Sequence, residues 1–245
     1  MVRPTATLAI IPAYNEAAAI GDTISELVEV RPDVDLVVID DGSADATARI
    51  AAQAGARVIV LPFNLGIGGA LRTGFRWAVE QGYQRAFQFD ADGQHDPLEI
   101  AALLEPLEAG ADLVVGSRFL DGDAGYDVSR VRRTAMGALR VTMRVLSRQS
   151  FTDTSSGFRA FSRPMLEFFA ANYPAEYMES VEALFVATTE GFDVVEVPVQ
   201  MRMRSAGQPS NRRMRSAYHF VRLYLMLLAS AKRRRTPVVP MGDTA

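Results

Sequence analysis

Residues 87–97 read Phe87-Gln88-Phe89-Asp90-Ala91-Asp92-Gly93-Gln94-His95-Asp96-Pro97. An alternating apolar run stops abruptly in carboxylates and is followed by glycine and proline. This is the pattern of a strand that delivers acidic side chains to its own C-terminal end. On an extended chain Asp90 and Asp92 project to the same side, so both can face one ligand. Hard divalent cations take oxygen ligands and often bridge a protein carboxylate to substrate phosphates. A plain turn has the same local composition, so the weight of the motif depends on what surrounds it.

Outward from this stretch, strands and helices alternate. Residues 7–11, 35–39, 57–61, 85–89 and 112–116 read as strands, and 17–30, 45–54, 69–81 and 97–108 as helices. In the first helix Ile20, Ile24, Leu27 and Val28 share a face. Such alternation builds an α/β fold, a Rossmann-like, mostly parallel sheet sandwiched by helices. Ligands of these sheets bind outside the C-terminal strand ends. Four polar clusters fall there: Tyr14-Asn15-Glu16, Asp40-Asp41-Gly42-Ser43, residues 64–69 and residues 90–96. Beyond Arg118 the pattern changes. Residues 131–146 read as an Arg-rich helix, and 151–161 as a Thr/Ser/Gly segment running into a helix start at Ser162-Arg163-Pro164. A further helix covers 181–190. Residues 194–201 are strand-like, with Pro198 placing them at an edge, and 216–231 form a last helix.

The 245-residue chain is long enough for one substantial α/β domain, which we place at 1–211. With no cysteine, disulfides, thiolate metal sites and thiol nucleophiles are excluded. The apolar run from Ala6 to Ala13 is short and interrupted by Pro12, so a signal peptide is not expected. The net charge of −3 hides an asymmetry: residues 201–235 hold ten Arg or Lys and no Asp or Glu, whereas residues 1–200 carry 16 basic and 28 acidic side chains. A basic block behind an acidic body suits an anionic surface or ligand, and equally a solvated tail. The apolar stretch at 220–231 is about 12 residues long and contains Arg222, whereas a membrane span needs about 20. The expected element over 212–235 is therefore a basic amphipathic helix, followed by a disordered tail at 236–245. Its apolar side suits an anionic leaflet, and equally packing on the domain, a second copy or a membrane-protein partner.

Taken together, Ile11-Pro12-Ala13-Tyr14-Asn15-Glu16, Val38-Ile39-Asp40-Asp41-Gly42-Ser43, Asn64-Leu65-Gly66-Ile67-Gly68-Gly69-Ala70, Asp90-Ala91-Asp92-Gly93-Gln94-His95, Gly116-Ser117-Arg118-Phe119, Asp153-Thr154-Ser155-Ser156-Gly157-Phe158-Arg159 and Glu196-Val197-Pro198-Val199 resemble the family 2 glycosyltransferases of the GT-A fold. The likeness is to their dolichyl/polyprenyl-phosphate mannosyl- and glucosyltransferase branch and runs from about Leu8 to Ser210. It implies that Pro12, Tyr14 and Glu16 cradle the nucleoside of a UDP- or GDP-sugar and that Asp41 recognises the base. Glu16 also suits a helix first turn. Gly66, Gly68 and Gly69 would let backbone approach the nucleotide. Arg72 can reach a phosphate or be a surface helix residue. Asp92, with Gln94, would hold Mg²⁺ or Mn²⁺, with Asp90 close to the donor; His95 reads as a loop residue rather than a base.

The same resemblance implies an inverting displacement with a polyprenyl phosphate as acceptor. An anionic acceptor needs positioning by arginine forks more than deprotonation. Arg118 matches the phosphate-binding arginine, Arg132 or Arg133 a second one, and Ser156 and Arg159 border the acceptor. Arg130, Arg140, Arg144 and Arg148 also suit the polar face of a helix. Asp153 would serve as a base for a hydroxyl acceptor or simply cap a turn. Arg204 with Gly207 and Ser210 resembles the loop that closes over the diphosphate, with an extra residue and Pro209 altering its geometry. The expected activity is thus sugar transfer to polyprenyl phosphate by a cytoplasmic protein peripheral to the inner face of the cell membrane. The alternatives are transfer to a hydroxyl of a soluble or cell-envelope glycan, or a non-catalytic nucleotide-sugar-binding or scaffold subunit. No nucleic-acid partner is expected.

Overall fold

The computed structural model describes residues 7–120, 149–174 and 179–202, with the isolated positions 137, 141 and 144. Arg132, Arg133, Arg204, most of the expected 131–146 helix and the whole of the 212–235 and 236–245 segments lie outside the described residues.

The chain runs β1 (Thr7–Ala13), α1 (Ile20–Val30), β2 (Asp35–Asp40), α2 (Thr47–Gln53), β3 (Arg57–Val60), α3 (Ile67–Gln81) and β4 (Arg85–Gln88). A 3-10 turn (Pro97–Glu99) then leads into α4 (Ile100–Glu108). It continues with β5 (Leu113–Ser117), β6 (Arg159–Ser162), α5 (Arg163–Asn172), α6 (Glu179–Glu190) and β7 (Val194–Pro198). The seven strands lie in the order β3-β2-β1-β4-β6-β5-β7. All pairings are parallel except those of β6, which is antiparallel to both β4 and β5. β7 lies at the edge, where Pro198 was expected.

β1 is buried at all seven positions because it lies between two neighbours and two helical layers. Its alternate residues serve two cores. Leu8 and Ile10 join Phe75, Phe161 and Phe169 on one face; Ala9 and Ile11 join Ile24, Leu27, Phe87 and Leu103 on the other. A strand buried on both faces reads as a continuous apolar run, which is why the sequence shows it plainly. Gly74 brings α3 onto β1: a Cβ there would sit 2.4 Å from Ile10 Cγ2.

α3 and α5 pack as an antiparallel pair around Phe75, whose ring lies 4.8 Å from Phe161 and 5.0 Å from Tyr173. Each helix caps the other. Arg72 of α3 donates to the carbonyls of Ala170 (3.4 Å) and Ala171 (2.6 Å) at the end of α5. Arg163 of α5 donates to the carbonyls of Val79 (3.3 Å) and Tyr83 (3.0 Å) at the end of α3. The last carbonyls of a helix lack internal partners and carry its negative dipole end, so a guanidinium there is favourable. Arg72 is thus a helix cap, and the alternative in which it reaches a phosphate is not the one this geometry supports.

Two other expectations change. Residues 159–162, read only as the end of a polar segment, form the inserted strand β6. The extended run at 87–92 also stops early. β4 ends at Gln88, and residues 91–93 turn, with Gly93 at φ +75° and Gln94 N–H donating to Asp92 Oδ1 at 3.0 Å. That local hydrogen bond pulls the chain out of the strand, so strand alternation is not what relates Asp90 to Asp92.

Candidate active site

Because only β6 runs against the rest, the C-terminal ends of β1, β2, β4, β5 and β7 share one sheet edge with the N-terminal end of β6. The expected polar clusters meet there.

After β1 and β2 the chain is tied crosswise. Asn15 N–H donates to Ser43 Oγ at 2.9 Å, and Ala44 N–H to Asn15 Oδ1 at 2.8 Å. Glu16 N–H donates to Thr47 Oγ1 at 2.9 Å. Asn15 takes φ +55°, a conformation that asparagine tolerates better than most residues. Asp40 accepts from Ser43 N–H at 3.0 Å and so orients its own loop. Tyr14 is 46% exposed and Glu16 partly so, both on the loop after β1. Pro12 is different: it is buried within β1, paired with Ile39.

Asp41 is buried, and its two oxygens accept the amides of Leu65 (2.7 Å) and Gly66 (2.8 Å). Burial raises its pKa above the ordinary carboxylate value, against the lowering effect of the two amides. In this conformation the side chain braces the loop before α3. Gly66, at φ +81°, turns that loop into the helix, and Gly68 is buried inside the helix rather than lying open to a ligand.

The acidic turn is held from below. Asp90 Oδ1 accepts from Gln88 Nε2 at 2.9 Å, and Asp90 N–H donates to His95 Nδ1 at 3.0 Å. His95 Nε2 then faces Asp90 Oδ2 at 3.5 Å. The imidazole is buried and stacked on Phe158 with centroids 4.3 Å apart, and burial lowers its pKa. A buried ring whose Nδ1 is taken by the Asp90 amide supports the acidic turn and is badly placed to act as a base. Asp92 is 8% exposed and Gln94 partly so. Among the described residues no three His, Asp or Glu side chains form a complete cation cage. The donor set is nevertheless hard oxygen. A carboxylate oxygen has two lone pairs, so accepting one amide does not use up Asp92 Oδ1.

Across the turn lies the loop preceding β6. A Cβ on Gly157 would sit 2.8 Å from Gln88 Nε2 and 3.4 Å from Asp90 Oδ2, so glycine allows this close approach. In the same loop Asp153 is fully buried and receives Arg118 Nε at 2.6 Å and Nη2 at 2.9 Å. Burial pushes the Asp153 carboxyl up, but the hydrogen bonds and charge of Arg118 outweigh it and hold the pKa below the usual range. Such a group is a poor base; its geometry makes it the holder of Arg118. Arg118, with its side chain 22% exposed, also donates to Ser155 Oγ at 3.0 Å.

The expected acceptor residues Ser156 and Arg159 do not reach this surface. Arg159 is 1% exposed and donates to the carbonyls of Ser156 (2.8 Å), Ser180 (2.8 Å) and Thr154 (3.2 Å). Its guanidinium ties the loop to α6. Ser156 is buried and accepts from Phe158 N–H at 3.2 Å. Three supporting residues had been given no individual role: Gln88; Glu196, whose carboxylate accepts the amides of Thr152 (2.7 Å) and Asp153 (2.9 Å); and Arg202, which joins the acidic turn from beyond β7.

A sheet of this order, with an acidic turn after its central strand and an arginine-bearing loop beside it, has the GT-A architecture of nucleotide-sugar transferases. The fold matches glucosyl-3-phosphoglycerate synthase from Mycobacterium tuberculosis, solved with Mn²⁺, UDP and phosphoglyceric acid. The TM-score is 0.70 at 23% identity, covering 94% of this chain and 78% of that one. The chain belongs to glycosyl transferase family 2, whose model matches residues 8–169. A polyprenol monophosphomannose synthase of Mycolicibacterium smegmatis is 34% identical over 215 residues, covering 84% of this chain and 81% of that protein. An undecaprenyl-phosphate mannosyltransferase of Micrococcus luteus is 33% identical over 210 residues, covering 82% and 85%.

Proposed function

We propose that this family 2 glycosyltransferase moves a sugar from a UDP- or GDP-sugar to the phosphate of a polyprenyl phosphate, with inversion. One observation carries the reading: the Arg118 guanidinium, held in place by buried Asp153, stands at the same sheet edge as the acidic turn, joined to it by the Asp153–Gly157 loop. The Nε and Nη2 edge of Arg118 is taken by Asp153, so an acceptor phosphate would meet the guanidinium from its Nη1 side; such an acceptor is already an anion that needs no base. The commitment of Asp153 to Arg118 suits that chemistry. The two relatives aligned over four-fifths of their own length are named for polyprenyl-phosphate acceptors and for mannose, which makes mannose the first sugar to test.

In this reading Tyr14 and Glu16 border the nucleoside, Arg118 orients the acceptor phosphate toward the sugar, and the closely packed Gly157 loop sets the distance between the two halves. Asp92, with Gln94, would hold Mg²⁺ or Mn²⁺, with Asp90 close to the donor. Such an ion, when bound, offsets diphosphate charge and assists departure of the nucleoside diphosphate as a Lewis acid. Arg132 or Arg133 would add a second phosphate contact and Arg204 a contact to the donor. The basic 212–235 stretch would lie on an anionic leaflet, bringing the site to its lipid on the inner face of the membrane.

The test is transfer of label from GDP- and UDP-sugars to a short polyprenyl phosphate in detergent, with and without Mg²⁺ or Mn²⁺. Metal-dependent label in the lipid fraction supports the reading. Donor turnover with no lipid label, or label found only on a glycan hydroxyl, would overturn it.

A further inference from the structure

The segment after β7 is clasped onto the acidic turn. Met201 forms an antiparallel bridge with His95, and Arg202 N–H donates to the Gln94 carbonyl at 2.8 Å. The Arg202 side chain then holds the same turn from outside. Its Nε lies 3.1 Å from Asp96 Oδ2 and its Nη2 2.9 Å from Asp96 Oδ1, a two-pronged pair. Its Nη1 lies 2.7 Å from Glu26 Oε1 on α1. Asp96 meanwhile caps the 3-10 turn, accepting Leu98 N–H at 3.0 Å. Turn, 3-10 segment and α1 are thus fastened through one guanidinium, which grips the turn at Asp96, two residues after Gln94 and four after Asp92.

We infer that Arg202 is a positioning residue for the cation site: it fixes the Asp92–Asp96 turn in the shape that presents Asp92 and Gln94 to a divalent ion. This rests on the metal-dependent reading above. The backbone bridge to Met201 and Arg202 and the local bonds of Asp92 and His95 hold the turn from one side, and the Arg202 side chain holds it at Asp96. The bidentate Arg–carboxylate pair supplies the geometric constraint, more through its fixed fork than through raw energy, since the side chain is 39% exposed. A lysine presents a point charge and cannot reproduce the fork.

The test measures Mn²⁺ binding to the full chain directly, by the loss of the free-ion paramagnetic resonance signal, with UDP or GDP present. Arg202→Met is expected to weaken Mn²⁺ binding about five- to tenfold and Arg202→Lys to restore it only in part. In the transfer assay the Mn²⁺ concentration giving half-maximal rate should rise in step, with KM for polyprenyl phosphate unchanged within twofold. Glu26→Gln removes only the outer partner and should shift Mn²⁺ binding the same way by about twofold. It carries the test if Arg202→Met does not fold. Wild-type Mn²⁺ affinity in Arg202→Met, or in Glu26→Gln where that variant stands in, overturns the inference. So does a rise in acceptor KM that matches the metal effect. No Mn²⁺ binding by the wild type with either nucleotide overturns the metal assignment itself, and this inference with it.

Discussion

Asp153 has a fully buried carboxylate that stays on the acidic side of its ordinary range because Arg118 grips it with two N–H groups. Asp153→Asn keeps the shape and removes the charge. If the residue only positions Arg118, KM for polyprenyl phosphate should rise several-fold and kcat should change by less than about tenfold. A kcat loss of roughly 10²–10⁴-fold, the scale of a missing general base, would restore the base role. Stability gives a second check. A depressed folded pKa contributes stability above the unfolded value of about 3.9, and this is lost as pH falls through the folded pKa. Arg118→Ala removes the guanidinium's hydrogen bonds and charge and leaves burial opposed only by the bonds from Ser155 and the residue 118 amide, so the Asp153 pKa moves up and the penalty is present at neutral pH and relieved on acidification. The variant should be less stable by roughly 1–3 kcal/mol at pH 7, below the usual cost of breaking a buried pair because Arg118 is partly exposed. The gap in melting temperature should narrow toward pH 4; a gap that widens there would contradict the assignment. None of this was legible from residue type. Asp153 reads equally as a base or a cap until the distance to Arg118 is known, and Arg159 looks like a phosphate ligand until its burial against Ser180 is seen.

Among the elements, α3 and α5 show how local sequence and tertiary contact divide the work. The first was read over 69–81, and the second only from its Ser162-Arg163-Pro164 start, where Ser162 caps Met165 N–H. Their mutual capping by Arg72 and Arg163 is not visible, because it joins residues 80 to 99 apart in the chain. Arg72→Met should destabilise the fold by about 1 kcal/mol and leave donor KM unchanged within twofold. A tenfold rise in donor KM would return Arg72 to the diphosphate. β1 and β5 were legible because burial on both faces demands unbroken apolar runs. β6 was not: it has four residues, begins with a buried arginine and ends in serine, and its place between β4 and β5 is set entirely by its neighbours. The acidic turn was found from its carboxylates. Its fastening by Arg202 was hidden, since the partners lie 106 and 176 residues away.

At the scale of the whole molecule, an acidic body precedes a basic C-terminal segment, and of that segment's ten cations Arg202 is already engaged by Glu26 and Asp96. Among the described residues no helix is long and apolar enough to cross a membrane. Deleting residues 212–245 should release the protein from vesicles containing anionic lipid, with salt sensitivity of binding lost as well; unchanged co-sedimentation would refute the leaflet contact. The GT-A sheet edge, the acidic turn and the Arg118 fork together make one claim, transfer of a sugar to a lipid phosphate. The most direct measurement compares initial rates of sugar transfer to polyprenyl phosphate and to the matching polyprenol, in the wild type and in Asp92→Ala. The expected result is metal-dependent transfer to the phosphate alone, abolished in Asp92→Ala. Comparable transfer to the alcohol, or near-normal transfer to the phosphate by Asp92→Ala, would contradict it.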